Sequence, residues 1–194
     1  LDVLVEDLEA LRLTLNFQKI HIVGHSLGGM IGPKYARSFP DNVLSVSLLS
    51  TAAFRTKEDQ SKVMAIVDSM NRKGIEPILN TLTDRWFTDQ FIEESYDSVE
   101  FRLQQVLETD PEVFLEVFRI YAETEMSPWL NQIKQPCLVL TGENDGGCNP
   151  RLNKLIAESL THSELCILDK FKHSILIEAP DLVGQRVRDF LLNQ

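Results

Sequence analysis

The sequence predicts an α/β chain, a parallel sheet flanked by helices with a helical insertion between its strands. Three observations predict it. The run Lys19–Met30 reads as a short apolar strand, a glycine-rich turn and the start of a helix. A second strand pattern, Val43–Leu49, follows that helix, and strand–helix–strand order in one direction implies a parallel crossover. After Thr56–Trp129, where strand signal is scarce, a buried strand pattern returns at Gln135–Gly142.

The elements follow in order. Leu4, Leu8, Leu11 and Leu15 recur at helical spacing, which predicts an amphipathic helix over Asp2–Leu15. Ile20, Ile22 and Val23 make the strand Lys19–Val23. Met30, Ile31, Tyr35 and Ala36 continue a helix to about Phe39, before Pro40. Val43–Leu49 is the second strand, and Thr51–Phe54 leaves its end. Within the insertion, helices are expected over Asp59–Lys73, Ile75–Phe87, Asp89–Glu108 and Pro111–Glu125. Asp110-Pro111 reads as an N-cap followed by proline at the first helical position. Phe87, Phe91, Phe101, Phe114, Phe118 and Trp129 suit either a pocket wall or the insertion's own core. A strand ending at Gly142, a helix Pro150–Leu160, a strand Glu164–Leu168 and a closing helix Ala179–Leu192 complete the chain. The closing helix has Leu182, Val183, Val187, Phe190 and Leu191 on its apolar side.

Composition narrows the function. The chain has 194 residues, 43% hydrophobic and 25% charged, enough for one sizeable core. A formal net charge of -10 argues against nucleic acid or an anionic membrane as partner. No apolar run is long enough to span a bilayer. Three cysteines, an odd number without metal-type spacing, call for no disulfide and fit a reducing, cytoplasmic setting. Cys137 and Cys166 fall in strand patterns and are expected to be buried and inert. Cys148 falls in a loop and is read as incidental. The chain opens on Leu1 inside a helix pattern, which suggests a piece of something longer.

The chemistry centres on Gly24-His25-Ser26-Leu27-Gly28. On a strand-to-helix turn this pattern lifts a serine hydroxyl above the end of a sheet. Gly24 and Gly28 are expected to lack side chains because the turn is crowded, and the Leu27 amide is expected to stabilise an oxyanion. Serine needs a base, and the base an orienting acid. Among four histidines, His21 lies within a strand and reads as structural. His25 is expected to point away from the site, and His162 to be solvated. His173 follows the last strand, where loops of a parallel sheet gather at a site. Asp145, just past the strand ending at Gly142, is the chosen acid, with Glu143 as its rival. Met30, Phe54, Trp86, Phe118 and Trp129 are the candidate substrate-pocket residues. No metal or cofactor is expected.

With the elbow Gly24–Gly29, the acid loop Gly142-Glu143-Asn144-Asp145, and His173 followed by Glu178-Ala179-Pro180, the chain resembles the C-terminal two-thirds of an α/β-hydrolase fold protein. The resemblance is to the esterase, enol-lactonase and carbon–carbon-bond hydrolase group. It implies a partial hydrolase core at 1–55 and 130–194 and a helical cap at 56–129. Ser26 would then be nucleophile, Asp145 orienting acid, His173 general base and the Leu27 amide one oxyanion donor. It further implies a small ester or lactone substrate, with C–C cleavage, thioester cleavage, acyl transfer or non-catalytic small-molecule binding as alternatives. In the family's strand order, Lys19–Val23 is central and a second oxyanion donor comes from a preceding loop. Without those preceding strands Lys19–Val23 is an apolar edge, for which a homodimer pairing two copies is the expected cover. A separately made N-terminal piece is the rival cover.

Overall fold

The computed structural model describes residues 1–194. Four parallel strands, β1 (Ile20–His25), β2 (Val43–Leu49), β3 (Cys137–Gly142) and β4 (Ser163–Leu168), lie side by side in chain order. Helix α1 (Asp2–Thr14) precedes β1 and α2 (Gly28–Ser38) joins β1 to β2. A block of helices, α3 (Lys57–Lys73), α4 (Leu79–Trp86), α5 (Asp89–Glu94), α6 (Tyr96–Glu108) and α7 (Pro111–Glu123), separates β2 from β3. Helix α8 (Pro150–Ser159) connects β3 to β4, and α9 (Ile175–Glu178) and α10 (Pro180–Leu192) close the chain. No helix is long and apolar enough to cross a membrane.

The central strands β2 and β3 are buried along almost their whole length because both faces are covered. In β3, Cys137 and Val139 join the core beneath α2 and α8, while Leu138 and Leu140 join a second core beneath α9 and α10. This is the period of two expected of a strand, with each fully buried leucine or valine contributing roughly 1.5–3 kcal/mol. β1 is different. Ile22 faces the first core, but Val23 is 46% exposed on the other face. β1 is also an edge strand, paired only with β2.

Several expectations shift. In α1 the buried residue is Val5, flanked by partly buried Leu1 and Leu8, while Leu11 and Leu15 are exposed. The helix turns toward the core a different stripe from the one its leucines mark. Leu182 is likewise exposed, and α10 packs through Val183 and Phe190. The helix expected over Ile75–Phe87 begins as a 3-10 turn, Glu76–Ile78, closed by the Ile78 N–H on the Ile75 carbonyl (3.0 Å). The helix expected over Asp89–Glu108 is broken at Ser95, whose N–H turns back to the Phe91 carbonyl (2.9 Å). The Asp110 cap forms as expected, its Oδ1 accepting from Glu112 and Val113.

The chain enters the helical block through Thr51–Thr56 and leaves it through Thr124–Trp129, and Glu125 joins the two passages. Its carboxylate accepts from the backbone N–H groups of Phe54 (2.9 Å), Arg55 (3.3 Å) and Ser127 (2.9 Å). Burial pushes this carboxyl up, but those bonds outweigh it and leave it below the usual range. Across the block, Ser174 N–H donates to the Trp86 carbonyl (2.8 Å), and Glu178 accepts from Thr88 N–H and Oγ1 (3.1 and 2.7 Å).

Candidate active site

Strand β1 ends at His25, and the chain then turns sharply into α2. Ser26 sits at the turn with φ of 56°, in the left-handed region that costs a residue with a β-carbon about 1–2 kcal/mol. Its N–H donates to the Leu49 carbonyl at the end of β2 (2.8 Å), and its own carbonyl accepts from Thr51 Oγ1 (3.0 Å). The strained serine is thus fastened on two sides.

The glycines divide their labour differently from the expectation. A β-carbon on Gly24 would fall 2.1 Å from the Gly28 carbonyl oxygen and 2.3 Å from its carbon, so Gly24 is required by close backbone approach. One on Gly28 would meet nothing within 4 Å, which corrects the expectation of crowding there. The second crowded position is Gly29, where a β-carbon would lie 2.7 Å from Thr51 Cβ. The Leu27 N–H has no partner among the backbone hydrogen bonds, and the residue lines the cavity that Ser26 also faces.

Asp145 follows β3 and is only 2% exposed. Its Oδ1 accepts from the N–H groups of Gly147 (2.9 Å) and Cys148 (2.8 Å), and its Oδ2 pairs with His173 Nδ1 at 2.7 Å. Burial alone would raise this carboxyl, but the His173 charge and the three hydrogen bonds hold it below the ordinary value. For His173 burial acts downward, and the facing carboxylate outweighs it and pushes the imidazole up. Because Nδ1 is engaged, Nε2 is the nitrogen left for chemistry. The rival acid Glu143 is exposed and accepts from Lys170 N–H (3.0 Å), so it braces the loop instead.

His25 corrects the expectation that it points away. Its ring centroid lies 4.8 Å from that of His173, and its Nε2–H donates to the His173 carbonyl (2.9 Å). Burial, aided by the charge of His173, pushes it down to about 4, so it stays neutral and acts as a fixed donor. The last residue of a strand that ends at a site can turn its side chain toward the neighbouring loop, which strand position alone does not reveal. His21 is hydrogen-bonded to Ser45 Oγ (2.7 Å) on the sheet, and His162 is exposed. Cys148 is buried beside Tyr121 Oη (Sγ to oxygen 3.2 Å), and burial pushes its thiol up, keeping it protonated. One donor atom each from Asp145, Cys148 and His173 lie within 4.8 Å of one another. Of the other two thiols, Cys137 is buried and Cys166 only half-buried.

The cavity over these groups holds about 400 Å³. Ser26, Leu27, Asp145 and His173 form its floor, and Trp86, Phe114, Phe118 and Tyr121 contribute from the helical block. Trp86 and Phe118 were expected there. Met30, Phe54 and Trp129 were also expected and do not line it. Met30 is fully buried in the core beneath α2, and Phe54 and Trp129 pack against that same core, where the Arg37 guanidinium covers the Trp129 ring at 5.5 Å. Sequence reasoning passed over Arg85 and Arg102, which do line the cavity, because charged residues on helices are ordinarily solvated.

Comparison with known proteins bears on the fold. The family model described as the alpha/beta hydrolase fold matches residues 1–180. The chain is 29% identical over 187 residues to 3-oxoadipate enol-lactonase 2 of Acinetobacter baylyi, covering 96% of this chain and 69% of that protein. It is 26% identical over 192 residues to the monoacylglycerol lipase ABHD6 of Bos taurus, covering 92% of this chain but 56% of the lipase. The chain therefore spans little more than half of one such relative. Among solved structures, the enol-lactonase from Burkholderia xenovorans LB400 superposes with a TM-score of 0.89 at 23% identity, covering 98% of this chain and 72% of that one. Since the family's model runs almost the whole length of the sheet and helices described above, the chain belongs to the α/β-hydrolase fold family.

Proposed function

We propose that this chain carries the triad of a serine hydrolase that cleaves a small carboxylic ester or lactone through an acyl-enzyme. The observation that carries the proposal is the 2.7 Å pair between His173 Nδ1 and buried Asp145, on the cavity that Ser26 faces from a strained turn. Ser26 Oγ attacks the substrate carbonyl while His173 Nε2 takes its proton. The oxyanion gathers the Leu27 N–H. The tetrahedral species collapses, and the leaving alkoxide takes the proton back from His173. Water then attacks the acyl carbon, His173 accepting its proton, and the acid departs as Ser26 is reprotonated. For a lactone the leaving alkoxide stays tethered until this second step. Asp145 holds the imidazole in the tautomer with Nε2 free and stabilises the cation formed. The helical block, supplying much of the cavity wall, serves as the cap. The names of the relatives support O-acyl cleavage, since one is an enol-lactonase and another a monoacylglycerol lipase.

A fluorophosphonate probe tests the proposal. Wild-type protein should be labelled at Ser26, and Ser26→Ala should be unlabelled and lose p-nitrophenyl ester hydrolysis. Labelling that survives in Ser26→Ala, or no labelling of wild type, overturns it.

A further inference from the structure

Two cations face the cavity without a counter-charge from the protein. Arg85, on α4, and Arg102, on α6, line it, and neither makes a hydrogen bond or an ion pair with any side chain of the chain. The only carboxylate lining the cavity is Asp145, and both its oxygens are taken by His173, Gly147 and Cys148. In a chain with net charge -10 this is against the average composition. An unpaired guanidinium at an apolar wall gives up hydration without return unless an anion completes it.

The two arginines are also held in place. Arg102 lies over the Trp86 ring at 5.5 Å, a cation–π contact that holds the guanidinium without using its N–H groups. Trp86 is bonded through its carbonyl to Ser174, the neighbour of His173, so the stack is tied to the loop of the general base. Arg85 Nη2 reaches over the acid loop, 3.2 Å from where a β-carbon on Gly147 would lie. Burial pushes Arg102 below the usual arginine range, and its charge is felt at the His25 ring beside the serine turn.

We propose that the substrate carries a carboxylate of its own, apart from the bond being cleaved, and that Arg102 receives it with Arg85 as second donor. A guanidinium offers a planar fork that matches a carboxylate in two parallel hydrogen bonds. The rest of the wall is largely apolar and fits a short carbon chain between that carboxylate and the scissile carbonyl. The substrate class is therefore a half-ester or lactone of a short dicarboxylic acid. This rests on the Ser26 reading given above.

The test compares two esters that differ only in a terminal group, p-nitrophenyl pentanoate and mono-p-nitrophenyl glutarate. Wild type should favour the glutarate in kcat/KM by about ten- to a hundredfold, mostly through KM, the size expected of a charged hydrogen-bonded pair. Arg102→Gln should lower that ratio by about tenfold or more, Arg102→Lys should restore part of it, and Arg85→Gln should lower it less. A second arm measures glutarate binding to Ser26→Ala by calorimetry, expected to be lost when Arg102→Gln is added. Thermal unfolding of each variant separates misfolding from lost recognition, and the Lys variant decides if the Gln variant unfolds. A wild-type ratio of one or below overturns the proposal. So does an equal fall of both substrates in Arg102→Gln. Arg102-dependent glutarate binding with no hydrolysis of either ester would leave this proposal standing and overturn the hydrolase reading. Ser26-dependent turnover of the pentanoate alone would do the reverse.

Discussion

The two glycines flanking the Ser26 turn should respond oppositely to alanine. At Gly24 a β-carbon would lie 2.1–2.8 Å from three backbone atoms of Gly28 and Gly29, so the turn itself would have to move. Overpacking costs typically about 1–3 kcal/mol, and here no flexible side chain can yield, so Gly24→Ala should reach at least the upper end. For a chain of this size each kcal/mol moves Tm by about 2–4 °C, so the fall should be roughly 6–12 °C. At Gly28 the new methyl meets nothing, φ is ordinary, and the residue opens α2. Removing a glycine there narrows the unfolded ensemble and should stabilise by about 0.4–1 kcal/mol, a Tm rise of roughly 1–4 °C. Calorimetry reads stability, and fluorophosphonate labelling reads whether Ser26 keeps its place. Gly28→Ala should label at the wild-type rate and Gly24→Ala should not. If Gly28→Ala lost as much stability as Gly24→Ala, the reasoning from backbone crowding would be wrong.

Other outcomes follow from the same geometry. Asp145→Asn should lower ester hydrolysis by a factor on the order of 10⁴, as tautomer loss does in comparable triads, measured by initial rates. Since Asp145 holds His173 above the ordinary histidine value, wild-type rate should climb with pH through a midpoint above about 6.5, and the Asn variant should bring that midpoint down. In unfolding melts, the stability owed to the raised imidazole is fully present below about pH 6.5 and fades as pH rises through its folded value. Asp145's share, from a lowered carboxyl, is present above about pH 4 and is lost in acid. Ser26→Gly should exceed Ser26→Ala in stability by about 1 kcal/mol, because only glycine sits freely at φ of 56°. Equal melting temperatures would argue against strain at the turn. We further propose that the exposed edge of β1 pairs with its copy in a two-fold dimer. Light scattering at low concentration should then give twice the chain mass, and a well-behaved monomer would end that idea.

How far the sequence reached depended on how local each signal was. β2 ends at Val43 and Leu49, as its apolar run indicates, because a strand buried on both faces announces itself without reference to its neighbours. The elbow was legible for a similar reason, since a turn is written in adjacent residues. Asp145 and His173 were found by position after strands, and the structure brings both to Ser26's cavity. The cavity wall was not legible. A helix in the insertion has one apolar side for its own core and one for the pocket, and periodicity does not tell them apart. Phe87 went fully to the interior, Phe101 is 67% exposed, and only Trp86, Phe114 and Phe118 of the block's rings considered reach the cavity. Arg102 was invisible because its meaning depends on Trp86 sixteen positions away and on its having no carboxylate partner. In α1 the leucine stripe misled in part, because Val5, off that stripe, is the fully buried residue, with Leu8 beside it and Leu11 and Leu15 left exposed.

Glu125 has a mechanical consequence. A block joined to a sheet by two passages of chain could ordinarily flex each one separately. Here Phe54, Arg55 and Ser127 share one carboxylate, so both passages are riveted into a single axle. On the far side the block is held by the Trp86–Ser174 and Thr88–Glu178 bonds and by the Asp59–Arg151 and Asp89–Lys172 ion pairs. An opening of the block about this joint would break those far bonds, and the amides of Phe54, Arg55 and Ser127 should exchange with solvent together rather than one by one.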